Sequence, residues 1–334
     1  MKKTLILLIL LMCLSCSQIQ HMTPELPSIY NLQFSELATM KIGRFGMGYT
    51  TDGKYLYAVY GRSSDPNYVT KSLRYSIAND RWSIFPNNST TKRYVSAEYI
   101  NNKIYVFNGN SQNNSINNKV EVIDPLTGEI NYLNDNPSPV SYSGTAVWKD
   151  KIYVFGGSIN NPRSRVVSYS NQMYLFDPIN DDWTLLGVIP EHKQTRGEIV
   201  DGILYVFGGY NGHSSSQIDA YDIANDTWYY IGDMPLGISA NAITSHGGFI
   251  YLVGDYNKLS SVAVFNTKTL EFYTIKSNML GRRHAGAEVI GNRLYVFGGN
   301  RTSTGNILSS IQVADVSEME TLLLAAEQDS TINE

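Results

Sequence analysis

The fold is decided by a short segment that occurs six times along the chain. Its copies are Tyr55-Leu-Tyr-Ala-Val-Tyr-Gly61, Ile104-Tyr-Val-Phe-Asn-Gly109, Ile152-Tyr-Val-Phe-Gly-Gly157, Leu204-Tyr-Val-Phe-Gly-Gly209, Ile250-Tyr-Leu-Val-Gly-Asp255 and Leu294-Tyr-Val-Phe-Gly-Gly299. Adjacent copies lie 44 to 52 residues apart, measured between their aligned tyrosines. Six β-rich units of this period predict a propeller, because a four-stranded unit must cover its apolar faces against its neighbours.

Each repeat has the same internal order. A first strand ends in a tight turn such as Asp201-Gly202, and the second strand carries the aligned tyrosine and ends at the glycines. A third strand ends near Asp177 or Asp222, and a fourth begins at an aromatic residue such as Trp183. The order of Gly-Gly, Asp and Trp resembles the kelch repeat, and the resemblance covers residues 30–317. It implies an all-β, six-bladed kelch propeller.

The last repeat lacks a fourth strand, and the amino-terminal end supplies a candidate. Phe34, Leu37 and Met40 match the spacing of Trp228, Ile231 and Met234 in a complete fourth strand. We therefore expect an N-terminal strand at about residues 30–40 to close the ring as the outer strand of blade six. Residues 318–334 are an acidic tail without a strand pattern, and we expect the fold to tolerate loss of residues 321–334.

The amino terminus has the pattern of a targeting segment. Lys2 and Lys3 precede an apolar run too short to span a bilayer, and Cys16 follows it. This pattern resembles a bacterial lipoprotein signal, with residues 1–15 as the signal peptide, Cys16 as the lipidated residue and residues 16–29 as a linker. The resemblance implies export to the cell envelope, as an outer-membrane lipoprotein facing the periplasm or the cell surface. The alternative is an ordinary cleaved signal with an incidental cysteine.

Composition and charge exclude several classes of protein. Of the 334 residues, 43% are hydrophobic, and the net charge is only −4, so extensive disorder is not expected. A sequence pI of about 5.8 argues against a nucleic-acid partner. The five histidines form no metal-binding pair, and no Gly-x-Ser-x-Gly nucleophile motif occurs. We therefore expect neither a metal nor another cofactor.

Alternation between blades marks the candidate site. Seven residues before the aligned tyrosine, the even repeats carry Glu98, Glu198 and Glu288, whereas the odd repeats carry Thr or Ala. Cations stand just upstream in the even repeats, and the candidate ligand-binding residues are therefore Arg93, Glu98, Arg196, Glu198, Arg283, His284 and Glu288. Three converging carboxylates could act as general acids, or bind a sugar acid together with the arginines. The alternative is structural: each glutamate pairs with an arginine and locks adjacent blades.

Three functions are compatible with these residues. The preferred one is a binding module that presents its loops to a glycan, a sugar acid or an envelope protein and is held at the membrane only by its lipid anchor. The second is an enzyme, because the chain is distantly similar to the N-acetylneuraminate epimerase (sialic acid mutarotase) family in size, export and blade number. The resemblance implies acid–base chemistry at the even-blade glutamates. The third is a purely structural envelope protein.

The lipid anchor can be tested directly. We expect Cys16→Ser to move the protein from the membrane fraction to the soluble fraction, because acyl chains contribute about 0.8 kcal/mol per buried CH₂ group. Fractionation of cells that express the two proteins measures this. Persistent membrane association of the variant would contradict the lipidation of Cys16.

Overall fold

Each repeat forms a four-stranded antiparallel sheet in the computed structural model of the protein, which describes residues 31–65, 71–85, 91–111, 113–160, 167–302 and 305–332. Six such sheets follow one another along the chain, and each is entered at its inner edge strand, Gly48–Thr51 being the first of these inner strands. The predicted all-β, six-bladed propeller is confirmed. The sheet of blade five has a fifth strand, because Asn31–Leu32 pairs in parallel with Lys276 and Ser277.

The strands fall into four sets by their place in the blade. The inner strands are Gly48–Thr51, Ser96–Ile100, Gly144–Trp148, Gln194–Val200, Ala242–His246 and Gly286–Ile290. The second strands are Tyr55–Val59, Lys103–Phe107, Lys151–Phe155, Ile203–Tyr210, Phe249–Val253 and Arg293–Phe297. The third strands are Ser72–Ser76, Val120–Ile123, Gln172–Asp177, Gln217–Asp222, Val262–Asn266 and Ile311–Asp315. The outer strands are Arg81–Phe85, Ile130–Leu133, Asp182–Val188, Thr227–Asp233, Glu271–Ser277 and Ser35–Glu36.

Two short ribbons extend the loops that follow the second strands. Arg44–Phe45 pairs with Arg62–Ser63, and Ser158–Asn160 pairs with Val167–Tyr169. These loops lie on one face of the disc together with the segments that lead into the inner strands, and we call this the loop face. The opposite face carries the tight turns within each blade, and we call it the turn face.

Hydrophobic side chains of neighbouring blades pack into shared clusters. In one of them, Tyr205 and Phe207 of blade four contact the cluster of Ile250, Leu252 and Phe265 of blade five, and all five residues are buried. Successive side chains of a strand point to opposite faces of the sheet, so each blade contributes to two such clusters. Burial between blades explains why the second strands read as nearly continuous apolar runs.

The amino-terminal end closes the ring as predicted. Ser35–Glu36 pairs antiparallel with the third strand of blade six, in the register Ser35 to Val313 and Glu36 to Gln312. The amide of Leu37 continues the ladder by donating to the Ile311 carbonyl at 3.0 Å. Blade six is thus built from both ends of the described chain.

The predicted signal peptide, Cys16 and the linker of residues 16–29 lie outside the described residues. The described chain starts at Asn31, beside the outer strand of blade five. Within the described ranges, no helix has the length and apolar character needed to cross a membrane.

The carboxyl-terminal tail differs from the expectation. It forms an α-helix, Ser317–Ile332, rather than a segment outside the fold. Met319 and Leu323 are buried, and they pack with Phe34 and Phe249 in a cluster that joins blades five and six. The carboxylate of Glu320 accepts a hydrogen bond from the Tyr251 hydroxyl. This packing argues against the expected tolerance to loss of residues 321–334, because that deletion removes the buried side chain of Leu323.

The helix contact gives a prediction with a matched control. We expect Leu323→Ala to lower the free energy of unfolding by about 2–4 kcal/mol, because it leaves a cavity in the core. Leu322 and Leu324 are 44% and 38% exposed, so the same change there should cost less than about 1 kcal/mol. Urea unfolding of the three variants measures the difference. Equal losses at all three positions would contradict docking of the helix.

Candidate functional site

A ring of residues surrounds the axis on the loop face, at the entry to the inner strands. Gly46, Tyr94, Tyr142, Ala240 and His284 all have left-handed backbone conformations, with φ between 51° and 60°. Four of their amides donate to carbonyls of the neighbouring blade: Gly46 to His284 at 3.0 Å, Tyr94 to Gly46 at 2.5 Å, Tyr142 to Tyr94 at 3.0 Å and His284 to Ala240 at 2.7 Å. Non-glycine residues adopt this conformation only where the surroundings stabilise it. The hydrogen bonds between blades supply that stabilisation.

Blade four interrupts this ring. Its equivalent residue, Gln194, already belongs to the inner strand and pairs with Tyr210 ahead of a β-bulge. Among the described residues, no backbone hydrogen bond links Gln194 to Tyr142 or Ala240. The side chain of Gln194 instead donates to the Ser158 hydroxyl at 2.8 Å. Blade four therefore presents different groups at the axis from the other five.

Aromatic rings line the mouth, which is the end of the axis on the loop face. Tyr94 and Tyr142 stack with a centroid separation of 4.0 Å, and the His284 ring lies 5.5 and 5.8 Å from them. Burial, together with smaller effects of the positive charges of Arg283 and Arg196, lowers the pKa of His284 to about 3. His284 is therefore a neutral part of this layer at physiological pH.

Arg196 is the exception at a position where every other blade has a small residue. The equivalent residues are Gly48, Ser96, Gly144, Ala242 and Gly286, each paired with the last residue of its second strand. Arg196 lines a small cavity of about 30 Å³ under the aromatic layer and a second cavity of about 250 Å³ on its other side. We call the larger one the inner cavity. Arg196 therefore lies between the mouth on the loop face and the inner cavity, and it lines both.

The three even-blade glutamates meet in the inner cavity. Glu98, Glu198 and Glu288 line it together with Arg196 and Tyr49. They are held by hydroxyl groups of an adjacent blade: Ser245 donates to Glu198 at 3.1 Å, Thr244 to Glu288 at 3.4 Å, and Thr145 to Glu98. The side chains lie deep in the disc but stay partly accessible through the cavity.

Burial and mutual repulsion raise the pKa values of these carboxyl groups. Burial raises the pKa of Glu98 to about 7, against a smaller lowering by Thr145 and Arg196. Burial and then the charge of Glu98 raise the pKa of Glu198 to about 8. Burial and both other glutamates raise the pKa of Glu288 well above its ordinary value. At neutral pH the cavity therefore carries much less negative charge than its three carboxyl groups suggest, and it holds protons that can be donated.

The blade-locking hypothesis expected each even-blade glutamate to pair with an arginine, and the described residues do not show these pairs. The cations upstream of the glutamates reach the third strand of their own blade instead. Lys92 pairs with Glu121 at 2.9 Å, with both side chains fully buried, and Lys193 pairs with Asp219 at 3.3 Å. Tyr60 of blade one donates to the same Glu121 at 2.5 Å, which joins two blades.

The seven predicted ligand-binding residues therefore do not form one site. The inner cavity brings together Glu98, Glu198, Glu288 and Arg196, while His284 faces the mouth. Arg93 and Arg283 lie apart on the loop face, with their guanidinium groups 5.6 Å from the Tyr94 ring and 4.0 Å from the Tyr256 ring. Within the described part of the chain, no three His, Cys, Asp or Glu side chains are placed to hold a metal ion.

Sequence reasoning missed Tyr49, which spans two interfaces. Its hydroxyl donates to the Ile243 carbonyl at 3.1 Å and accepts from the Ile243 amide at 2.8 Å, so it connects blade one to blade five across blade six. Gly286 of blade six makes room for it, since a Cβ there would lie 3.0 Å from the Tyr49 Cβ. The signal was present in the sequence as a glycine at the start of that inner strand.

Comparison with known proteins places the repeats in a family. A family model described as the KLHDC2/KLHL20/DRC7 Kelch-repeats domain matches residues 46–255, and a Kelch motif model matches residues 281–313. The chain is 28% identical to Kelch-like protein 15 of Homo sapiens over 220 residues, which are 58% of this chain and 35% of that protein. It is 24% identical to Beta-scruin of Limulus polyphemus over 266 residues, 72% of this chain and 28% of that protein. The chain thus spans about a third of the length of these curated relatives.

The buried pair in blade two predicts a large loss of stability. Glu121→Gln should lower the free energy of unfolding by about 3–5 kcal/mol, because it leaves the Lys92 ammonium buried without a counter-charge. The control is Asp135→Asn, which breaks the exposed pair with Lys119 and should cost about 1 kcal/mol or less. Urea unfolding compares them, and a loss at Glu121 no larger than the loss at Asp135 would contradict the structural role.

The raised pKa of Glu198 predicts a pH-dependent stability. As pH rises from about 6.5 to 8, the unfolded carboxyl group is already ionised while the folded one still holds its proton, so stability falls. We expect Glu198→Gln to remove this loss and to be more stable than the natural protein by about 1–2 kcal/mol at pH 8.

Thermal melting of both proteins at pH 6.5 and pH 8 measures this effect. Comparing the two proteins cancels the titration of groups remote from the cavity. Glu288 is the exception, because the variant removes the Glu198 charge that raises the pKa of Glu288, and this adds to the gain in stability at pH 8. A lower melting temperature for Glu198→Gln at pH 8 would contradict the account and favour a buried ion pair of Glu198.

Proposed function

Because the chain belongs to the kelch-repeat family, we propose that it is a binding module whose loop face takes an acidic segment of a protein partner. The observation that carries the proposal is a set of arginines stacked on aromatic rings. The guanidinium groups of Arg62, Arg93 and Arg283 lie 6.0, 5.6 and 4.0 Å from the centroids of Phe45, Tyr94 and Tyr256. None of the three forms an ion pair within the described chain.

Stacking on a ring suits these arginines to recognition. It orients the flat guanidinium group, which lowers the conformational entropy lost on binding. Arg62 is exposed and can donate to a carboxylate of a partner. Arg93, by contrast, is half-buried and donates to the Asn114 side chain, and Arg283 is buried. Tyr256 is 47% exposed and Tyr210 is 37% exposed, so apolar contact surface lies beside the charges. Aromatic and arginine side chains together are the residue types that dominate binding at protein interfaces.

The two faces of the disc differ in charge. The loop face adds exposed cations in Lys41, Lys258 and Arg301 to the stacked arginines. The turn face is rich in aspartate, with Asp52, Asp80, Asp124, Asp150, Asp177, Asp181, Asp201, Asp222, Asp226 and Asp315 at or beside its turns. A cationic face on a chain of net charge −4 favours an acidic partner and steers its approach.

Export and lipid anchoring through Cys16 belong to the same proposal and rest on the amino-terminal pattern alone. They would place the binding face in the cell envelope, where the partner would be an envelope protein. A glycan is the alternative ligand for the exposed tyrosines. A mutarotase remains a hypothesis that would use the inner cavity rather than the loop face, because that is where the proton-bearing carboxyl groups lie.

Peptides that differ only in charge test the proposal. Fluorescence anisotropy would compare a labelled peptide rich in Asp and Glu with the corresponding Asn and Gln peptide and with a neutral oligosaccharide. We expect the acidic peptide to bind at least tenfold more tightly than either, and its affinity to fall as salt rises.

Charge-reversal variants locate the binding face. Arg62→Glu together with Arg301→Glu should weaken binding of the acidic peptide at least tenfold, whereas Lys268→Glu on the turn face should leave it unchanged. Equal binding of the neutral peptide, or an equal effect of Lys268→Glu, would refute the proposed role of the loop face. Tighter binding of the oligosaccharide would favour the glycan alternative.

A further inference from the structure

The inner cavity holds an arginine that the fold does not require. The other five blades place Gly, Ser or Ala at the position of Arg196, and each of those inner strands pairs normally with its neighbour. The Arg196 side chain is half-buried, and its guanidinium group has no hydrogen bond or ion pair to any residue of the described chain. Its one ring contact is with Tyr49, at 6.0 Å. An arginine with five donors in such a place is suited to an oxyanion that the chain itself does not supply.

The rest of the cavity lining is suited to hydroxyl groups. Glu98, Glu198 and Glu288 contribute to it, together with the hydroxyl groups of Thr145 and Ser245. A protonated carboxyl group both donates and accepts, and so does a hydroxyl group, so each of these side chains can match a ligand hydroxyl. The raised pKa values of the glutamates keep this donor capacity at neutral pH.

Size and charge restrict the ligand further. A volume of about 250 Å³ is close to the lower end of small-molecule sites, which begin at about 300 Å³, so a compact organic acid fits better than an oligosaccharide or a peptide. One guanidinium group balances one negative charge, and the neighbouring acids disfavour a second one. A single carboxylate on a chain of hydroxyl-bearing carbons meets all these conditions.

We propose that the inner cavity is a binding site for a small monoanionic hydroxycarboxylate, with its carboxylate on Arg196 and its hydroxyls on the glutamate, threonine and serine side chains. This site is separate from the loop face and goes beyond the binding of a protein partner. Arg196 also lines the small cavity beneath Tyr94, Tyr142 and His284. A ligand bound in the inner cavity would thus contact Arg196, which also borders the mouth on the loop face.

Three small molecules test separately whether the carboxylate and the hydroxyl groups of the ligand contribute to binding. D-gluconate has both the carboxylate and the hydroxyls, hexanoate has only the carboxylate, and D-glucitol has only the hydroxyls. Isothermal titration calorimetry at pH 6.5 should show gluconate binding at least tenfold more tightly than hexanoate or glucitol. Failure of gluconate to bind, or equal binding of hexanoate, would overturn the proposal.

Variants assign the binding to this cavity. Arg196→Ala restores the small residue of the other blades, and we expect it to weaken gluconate binding at least tenfold. Thr145→Val, a second variant on a different inner strand, should weaken it by a smaller factor. Lys268→Ala, on the turn face and outside the cavity, should leave the affinity unchanged. Undiminished binding by Arg196→Ala, or by Thr145→Val should the arginine variant not fold, would overturn the assignment.

The affinity should also depend on pH. Glu98, Glu198, Glu288, Tyr49 and Arg196 are the titratable groups that face the cavity. Ionisation of the glutamates repels an anion and removes their protons as donors, so we expect gluconate binding to weaken between pH 6.5 and 8.5. Constant affinity over this range would contradict contact between the ligand and the glutamates.

Discussion

Closure of the ring is the constraint on which the rest of the structure depends. A propeller blade is stable only between two neighbours, and the chain completes the last blade with Ser35–Glu36 from its own beginning. The carboxyl-terminal helix reinforces the same place, since Met319 and Leu323 share a hydrophobic cluster with Leu32 and Phe34. Both ends of the described chain are thus fixed at blades five and six. The remaining blades follow in order around the axis.

Ring closure brings six inner strands together, and departures from their symmetry create the candidate sites. Five blades contribute left-handed residues to the mouth and small residues beneath it, and this regular part is structural. Blade four breaks both patterns with Gln194 and Arg196. The three glutamates break the symmetry once more, and they leave a polar cavity on the axis instead of a packed core. The residues proposed to bind a ligand at the axis are thus those at which one repeat differs from its neighbours.

Much of this arrangement could be predicted from the sequence, because the repeat length and the alternation of apolar residues are local properties. The blade count and the closing strand followed from aligned tyrosines and from the spacing of Phe34, Leu37 and Met40. The convergence of Glu98, Glu198 and Glu288 followed from their common position relative to the tyrosine. These predictions needed only the register of each strand with its neighbour.

The partners of the charged residues could not be predicted in the same way. Whether Lys92 reaches the glutamate six residues later or Glu121 on the third strand depends on the path of the backbone, which turns at the left-handed Tyr94. The helix was predictable in part, because Met319 and Leu323 are four residues apart and therefore lie on one face of a helix. Arg196 was predicted as a ligand-binding residue, but the lack of an ion pair at its guanidinium group within the described chain is a property of the three-dimensional structure.

The most direct test of the account is the contribution of the closing strand. Hydrogen–deuterium exchange would compare the natural protein with a variant that lacks residues 24–37, following the amides of Ile311–Asp315. The account predicts faster exchange in this strand and a clearly lower melting temperature, because the edge of blade six loses its partner. Unchanged protection and an unchanged melting temperature would show that the ring does not depend on this strand, and would contradict the account.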